Sequence, residues 1–319
     1  MVNMAGMSRL PQSLGRRLRF SQLELVHEVA ESGSLGEAAQ RLHISRAAVS
    51  KAIRELERSL GQVLFARSAR GMVATAAGLR VARHARLMVN ELRHLADEVA
   101  ATGGEAESRL RIGLPPFVAE HVAPAILQRL AQGAPITVRL HEGWLHALIE
   151  KLLCGEVDAV LALYAPRAVD SLDLSMLDIR PLLDVPIVPV AAPALGVPRR
   201  RLRWSELLRF PWILPPASTH LRRSVDEMFT ARGSRTPETA IESGAFAANV
   251  KLAAAGMGLA VVPLQAAQAQ IAAGSLVAVD ARPALPATHV VLMYRKVTAI
   301  YMDAIQRLNR AVDEAREAG

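Results

Sequence analysis

The chain has 319 residues, 51% hydrophobic and 4% aromatic, with a net charge of +8. That length predicts two or three domains with large cores, and so few aromatics argue against base-stacking modules for RNA or single strands. The charge is uneven: residues 1–103 carry 15 basic and 9 acidic side chains, net +6, against +2 for the rest, which marks a nucleic-acid-binding head on a nearly neutral body.

Residues 1–18 read as a flexible basic arm, with Arg16, Arg17 and Arg19 within reach of a DNA backbone. A helix is expected from Ser21 to Glu31, its apolar side supplied by Phe20, Leu23, Val26, Val29 and Ala30, and its end marked by Gly33. Ser34 is an N-cap candidate with Glu37 three residues on, the spacing of a capping box. Leu35, Ala38, Ala39 and Leu42 follow at i, i+3, i+4 and i+7, a single apolar stripe. His43-Ile44 interrupts it, and Ser45 is a second cap candidate. Val49, Ile53, Leu56 and Leu60 then form the stripe of a second helix. Its opposite face carries Arg46, Ala47, Ser50, Lys51 and Arg54. Small residues let such a helix approach a major groove closely, and the long cations reach phosphates and base edges.

After Gly61, Val63-Leu64-Phe65 and Met72-Val73 flank a basic turn around Arg67, Arg70 and Gly71, the pattern of a short wing. Thr75 caps a long helix to about Ala101. Within it Val81, Ala85, Met88, Leu92, Leu95 and Val99 keep a heptad step, which predicts dimerisation through this seam. The helix would be about 40 Å long. Gly103 to Ser108 is a linker.

From Arg109 the pattern becomes βαβαβ. Strands are expected at Leu110–Leu114, Ile136–Leu140 and Val157–Leu163, with helices at Val118–Leu130 and Trp144–Leu153 between them. A second set comprises strands at Val185–Ala191, Trp212–Leu214, Leu259–Val262 and His289–Tyr294, and helices at His220–Ala231, Ser243–Ala255 and Ala299–Ala315. Two small α/β lobes with a cleft between them follow. The expected division is a winged helix-turn-helix at 19–75, a linker helix at 76–102, lobe I at 109–187 and again at 292–319, and lobe II at 188–291.

The arrangement resembles a LysR-type transcriptional regulator from Arg19 onward. The resemblance is carried by Gly33-Ser34, Ala38-Ala39, Leu42, Ser45, Ala48-Val49-Ser50, Ile53, Leu56-Glu57, Leu60-Gly61, Leu64-Phe65-Ala66-Arg67, Thr75 and Gly78. Arg46-Ala47 departs from the glutamine and proline frequent in that family. The later lobes match more loosely, through Gly113, Gly155-Glu156-Val157-Asp158, Ala254 to Leu259 and Val262-Pro263; Trp212 to Pro216 with Leu221-Arg222-Arg223 is similar to the branch of galactose-binding-protein regulators. The resemblance implies a winged helix-turn-helix, dimers that pair into tetramers, and a two-lobed, periplasmic-binding-protein-like effector domain. The implied partners are double-stranded DNA, a small-molecule effector, further copies of the chain and RNA polymerase.

DNA contacts are expected from Ser34, Ser45, Arg46, Ala47, Ser50, Lys51, Arg54, Arg67 and Arg70. In open α/β lobes ligands bind beyond the carboxyl ends of strands. This places the effector, expected to be an organic anion, at Pro115, Pro116, Phe117, Tyr164, Ser218, Thr219, His220, Arg222, Ser243 and Gly244. Ser218, Thr219 and Ser243 would donate hydrogen bonds, and Arg222 would pair with a carboxylate.

No cofactor, metal or catalytic residue is expected: the sequence has no P-loop, no metal-spaced Cys/His set, no HExxH and no GxSxG. Gly256-Met257-Gly258 follows a helix and lacks a third glycine, so it reads as a helix stop. An enzyme, or a solute-binding module built on the two lobes, is the alternative of another class. The lone Cys154 excludes an intrachain disulfide and fits a reducing, cytoplasmic setting. The N-terminal stretch lacks the apolar core of a signal peptide, and no apolar run is long enough for a membrane span.

Overall fold

The computed structural model describes residues 18–68, 71–100, 108–133, 135–164, 174–231, 235–296 and 302–317. Two compact units emerge, Met1–Glu107 with Leu153–Glu156, and Ser108–Leu152 with Val157–Gly319.

The first unit begins with α1 (Phe20–Ser32), α2 (Leu35–Arg41) and α3 (Arg46–Leu60). Gly33 ends α1 at φ 63°, a left-handed conformation that glycine adopts without strain. The Ser34 hydroxyl accepts from the Gly36 and Glu37 amides, and Ser45 accepts from Ala48, so both predicted caps form. His43 supplies the positive φ that turns α2 into α3. Val26, Val29, Leu35, Ala38, Val49, Ile53 and Leu56 meet in one core, each larger side chain contributing roughly 1.5–3 kcal/mol on full burial. Glu57, on the inner side of α3, accepts from the Leu64 amide at 2.8 Å and Phe65 at 3.3 Å, fixing the start of the wing.

The wing is the antiparallel pair β1 (Phe65–Ser68) and β2 (Gly71–Ala74). The Met72 amide reaches back to the Gly33 carbonyl at 2.8 Å. A Cβ on Gly71 would lie 2.6 Å from that same carbonyl oxygen, so only glycine fits there.

The long helix α4 (Ala76–Ala100) starts at Thr75, whose hydroxyl accepts from Gly78 and donates to Val63. The expected seam divides along its length. Val81 packs against the head core and Ala85 is fully buried, because α4 lies along α1. Met88, Leu92 and Leu95 stay 47%, 46% and 47% exposed. The side chain of Val99 lies outside the described residues. Asn90 donates to the Cys154 carbonyl at 2.8 Å, and Cys154 is buried as a packing residue.

The second unit contains two five-stranded sheets. The first has the order β4-β3-β5-β14-β6: β3 (Ser108–Leu114) is flanked by parallel β4 (Ile136–Glu142) and β5 (Ala159–Tyr164), while β14 (Thr288–Arg295) runs antiparallel to β5 and β6 (Leu177–Val185). The second has the order β10-β9-β11-β7-β12, with β9 (Trp212–Leu214) between parallel β10 (Thr239–Glu242) and β11 (Leu259–Pro263), and with β7 (Ile187–Ala191) and β12 (Val277–Ala278) antiparallel.

Several expected elements are corrected here. The helix expected at Val118–Leu130 is two, α5 (Pro116–His121) and α6 (Ala123–Leu130), because Pro124 has no amide to continue the ladder. The strand expected at Val185–Ala191 breaks at Pro186, where the chain leaves the first sheet as β6 and enters the second as β7. The helix expected from Ser243 is α10 (Phe246–Ala254), with Ala245 as its N-cap residue. The sequence pattern did not disclose β6 itself, β10, β12, the short β8 (Leu202–Arg203), α8 (Trp204–Leu207), α11 (Leu264–Ala272) or β13 (Ala281–Arg282). Of the remaining helices, α7 spans Leu145–Leu153, α9 (His220–Thr230) sets Phe229 edge-on to Trp212 of β9, and α12 (Met302–Glu317) packs against α6.

Candidate nucleic-acid interface and effector cleft

The face of α3 opposite its core is open. Arg46, Ala47, Lys51 and Arg54 are exposed and Ser50 is half-buried. Arg54 folds back to the Ser50 carbonyl at 3.2 Å, and Lys51 sits 4.0 Å from Glu55, one turn on. An exposed i,i+4 pair of that length holds its partners weakly, about 0.3–0.5 kcal/mol, so Lys51 remains available to a phosphate. Ser34 and Ser45 spend their hydroxyls on capping. They position the helices, and the small exposed Ser45 and Ala47 keep the N-terminal approach unobstructed. On the wing Arg67 is exposed opposite Met72 in the register; Arg70 lies outside the described residues.

In the head, burial holds the His27 imidazole below its ordinary value near 6.5, with Arg86 and Arg93 acting the same way and Glu31 and Glu28 opposing. Arg86 itself pairs with Glu31 at 3.2 Å and with Glu156.

In the second unit, β3 and β9 are both topological switch points: the strands paired to either side of each are reached by connections that leave in opposite directions, which opens a crevice at the carboxyl edge. Pro115–Phe117 follows β3, and Pro215 to Arg222 follows β9. Phe117 is buried, and its ring meets Phe246 edge-on at 5.9 Å. Trp144, between β4 and α7, is 65% exposed. Its indole lies so near Gly244 that a Cβ there would sit 3.4 Å from the ring, with Pro216 Cδ at 3.6 Å. The two lobes therefore face each other across Phe117, Trp144, Pro216, Gly244 and Phe246.

Among the expected effector residues, Phe117 and Gly244 come together at this junction, with Pro115 and Pro116 leading into α5. Thr219 is the N-cap of α9, accepting from the Arg222 amide at 3.3 Å and donating to Pro216 at 2.8 Å. Ser218 is exposed beside it, His220 is half-buried in the first turn, and Tyr164 is half-buried at the end of β5. Two of the expected residues have partners within the chain. The Arg222 guanidinium is taken by Asp226, with both carboxylate oxygens at 3.1 Å, and by the Pro215 carbonyl at 3.3 Å, so it is not poised for a ligand carboxylate. Ser243 lies before the start of α10, where its hydroxyl accepts from the Ala245 amide at 3.4 Å. Trp144, Pro216 and Phe246 stand at the same junction and were not among the expected residues. The signal for Trp144 was present, since it stands at the carboxyl end of a strand, but its apolar character read as helix.

Among the described residues no cluster of three or more His, Cys, Asp or Glu is placed to hold a metal ion. No described helix is long and apolar enough to cross a membrane.

Family models match both units: the bacterial regulatory helix-turn-helix protein of the lysR family covers residues 20–79, and the LysR substrate binding domain covers residues 103–301. The chain belongs to the LysR family. It is a DNA-binding transcriptional regulator with an effector-binding domain. It is 29% identical over 256 residues to the HTH-type transcriptional regulator GalR of Pseudomonas putida, 80% of this chain and 64% of that protein. It is 28% identical over 296 residues to the regulator PcaQ of Agrobacterium fabrum, 85% of this chain and 92% of that one. The crystal structure of ArgP from Mycobacterium tuberculosis superposes with a TM-score of 0.67 at 22% identity, over 94% of this chain and 97% of that one, which shows a shared fold. The regulator's α2–α3 pair and wing are thus the family's helix-turn-helix, and its two lobes the effector domain.

Proposed function

We propose that this LysR-family regulator reads duplex DNA with Arg46, Ala47, Ser50, Lys51 and Arg54 of α3 in the major groove, while Arg67 and Arg70 of the wing hold adjacent phosphates. The observation that carries this is the open, cationic, small-residue face of a helix fixed at its start by Ser45 and at its back by Val49, Ile53 and Leu56. Ser34 and Ser45 act by holding α2 and α3 in place. The regulator acts in the cytoplasm, as copies joined along α4, and turns over no substrate.

The effector occupies the crevice between the lobes. Phe117, Trp144 and Phe246 form its apolar walls, and Ser218, Thr219, His220 and Ser243 border it with polar groups. Pro115 and Pro116 lack amide donors, and Arg222 is spent on Asp226. The site therefore suits a small organic molecule with a large apolar part better than a compact multivalent anion. Binding biases the switch only through unequal affinity for two lobe arrangements, a coupling of about 1–3 kcal/mol in typical cases. The test of the DNA assignment is the salt dependence of binding to a duplex. Replacing Arg67 by Ala, which removes a phosphate partner, lowers the log–log slope by about 0.9, whereas replacing Arg54 weakens sequence preference. An unchanged slope and unchanged preference in both variants sink the assignment.

A further inference from the structure

Lobe II carries a cationic surface that DNA reading and the interlobe crevice leave unused. Arg199, Arg200, Arg201 and Arg203 follow one another in the extended segment before α8, and all are exposed. The parallel pairing of β8 with β13 sets Arg282 beside Arg203. Two acids answer this group. Glu206 pairs with Arg200 at 2.7 Å and Arg203 at 3.7 Å, and Asp280 pairs with Arg282 at 2.7 Å and Arg201 at 3.5 Å. Next to it, Arg200, Ser205, Glu206, Leu208, Arg209 and Arg235 line a single open groove. The Arg209 guanidinium stands 4.9 Å over the Phe210 ring, which orients it.

The groove holds three guanidinium groups, one carboxylate and one hydroxyl. Arg200 hydrogen-bonds Glu206 strongly enough, together with the Arg203 amide, to hold that carboxyl down at about 2, so it stays ionised and cancels one charge. Two positive charges remain, on forks that match phosphate oxygens in bidentate fashion. A monocarboxylate would leave one of them uncompensated, whereas a phosphate dianion or a diphosphate neutralises both.

We propose that this groove on lobe II is a binding site for phosphate groups, built on Arg200, Arg209, Arg235 and Ser205. The phosphate comes either from a free phosphorylated anion or from the backbone of the DNA the head already holds, since tethering to one duplex raises the effective concentration of its other phosphates.

The test uses the full chain and sodium tripolyphosphate as probe, followed by calorimetry. Arg209→Gln with Arg235→Gln removes two exposed charges outside the core, and Lys51→Ala with Arg54→Ala removes two from the DNA-reading face as a control. The expected result is at least tenfold weaker tripolyphosphate binding in the groove variant alone. Equal losses in both variants, or a loss in neither, overturn the proposal. Salt titrations on duplexes of about two and six helical turns then separate the sources. A lower slope for the groove variant on the long duplex alone assigns the phosphate to DNA, and equal slopes assign it to the free anion.

Discussion

Leu92→Asp with Leu95→Asp should convert the regulator to monomers without unfolding its head. The structure separates the two roles of α4. Ala85 and Val89 are buried and Val81 packs on the head, so changes there would damage the fold. Met88, Leu92 and Leu95 are close to half exposed, and nothing within the described chain covers the rest of their surface. Full burial of such a side chain is worth roughly 1.5–3 kcal/mol, so covering the remaining half gives about 1 kcal/mol each. Three residues from each of two copies then supply on the order of 6 kcal/mol, about four powers of ten in the dimer constant. Two aspartates per copy remove four of those contributions and add buried unpaired charge, which costs several kcal/mol more. Sedimentation velocity at micromolar concentration should show the wild type associated and the variant monomeric, with an unchanged helical signal. A variant that sediments like the wild type would show that association runs through another surface.

Gly78→Ala should destabilise the head by more than about 3 kcal/mol, as one displaced strand loses both hydrogen bonding and core packing: the added Cβ would lie 1.9 Å from the Leu64 carbonyl oxygen, forcing β1 off its Thr75 and Glu57 anchors. A thermal midpoint equal to wild type would refute that close packing. Because His27 is held below its ordinary value near 6.5, the unfolded head binds more protons than the folded one. Stability should therefore be full above that value and decline as the pH falls through it, and His27→Gln should flatten the decline in denaturant titrations at pH 5 to 8. Of the three tryptophans, Trp204 and Trp212 are buried and Trp144 is exposed. Iodide should quench mainly Trp144, and a Trp144→Phe variant should lose the quenchable emission; retained quenching would place Trp144 elsewhere.

The head was legible in the sequence because its signals are local. Ser34, Ser45, Gly33 and the stripes of α2 and α3 each act within one or two turns; both serines cap as read, but Glu37 does not close a capping box, since the Ser34 amide donates to Ser32 Oγ instead. The seam of α4 was half legible: a heptad step reports an apolar face but not which partner covers it, and α1 takes Val81 and Ala85. In the lobes, Pro124 and Pro186 marked breaks that the apolar periodicity around them concealed. The short β8 and β13 have too few residues to show a period. The ends of the strands are visible in the sequence, but not that Asp226, one turn beyond Arg222, takes that guanidinium, or that Trp144 reaches Gly244 from the other lobe. Those are tertiary facts, set by sheet topology rather than by neighbouring residues.

The exposed face of α3 is proposed to read base sequence. Selection of binding sites from a random duplex library, with wild type and the Lys51→Ala, Arg54→Ala variant in parallel, tests it most directly. The wild type should yield a defined motif. The variant should keep an unchanged unfolding midpoint but enrich that motif weakly, with affinity lower by about 1–3 kcal/mol for each base-reading side chain removed. Recovery of the same motif at the same affinity by the variant would contradict it.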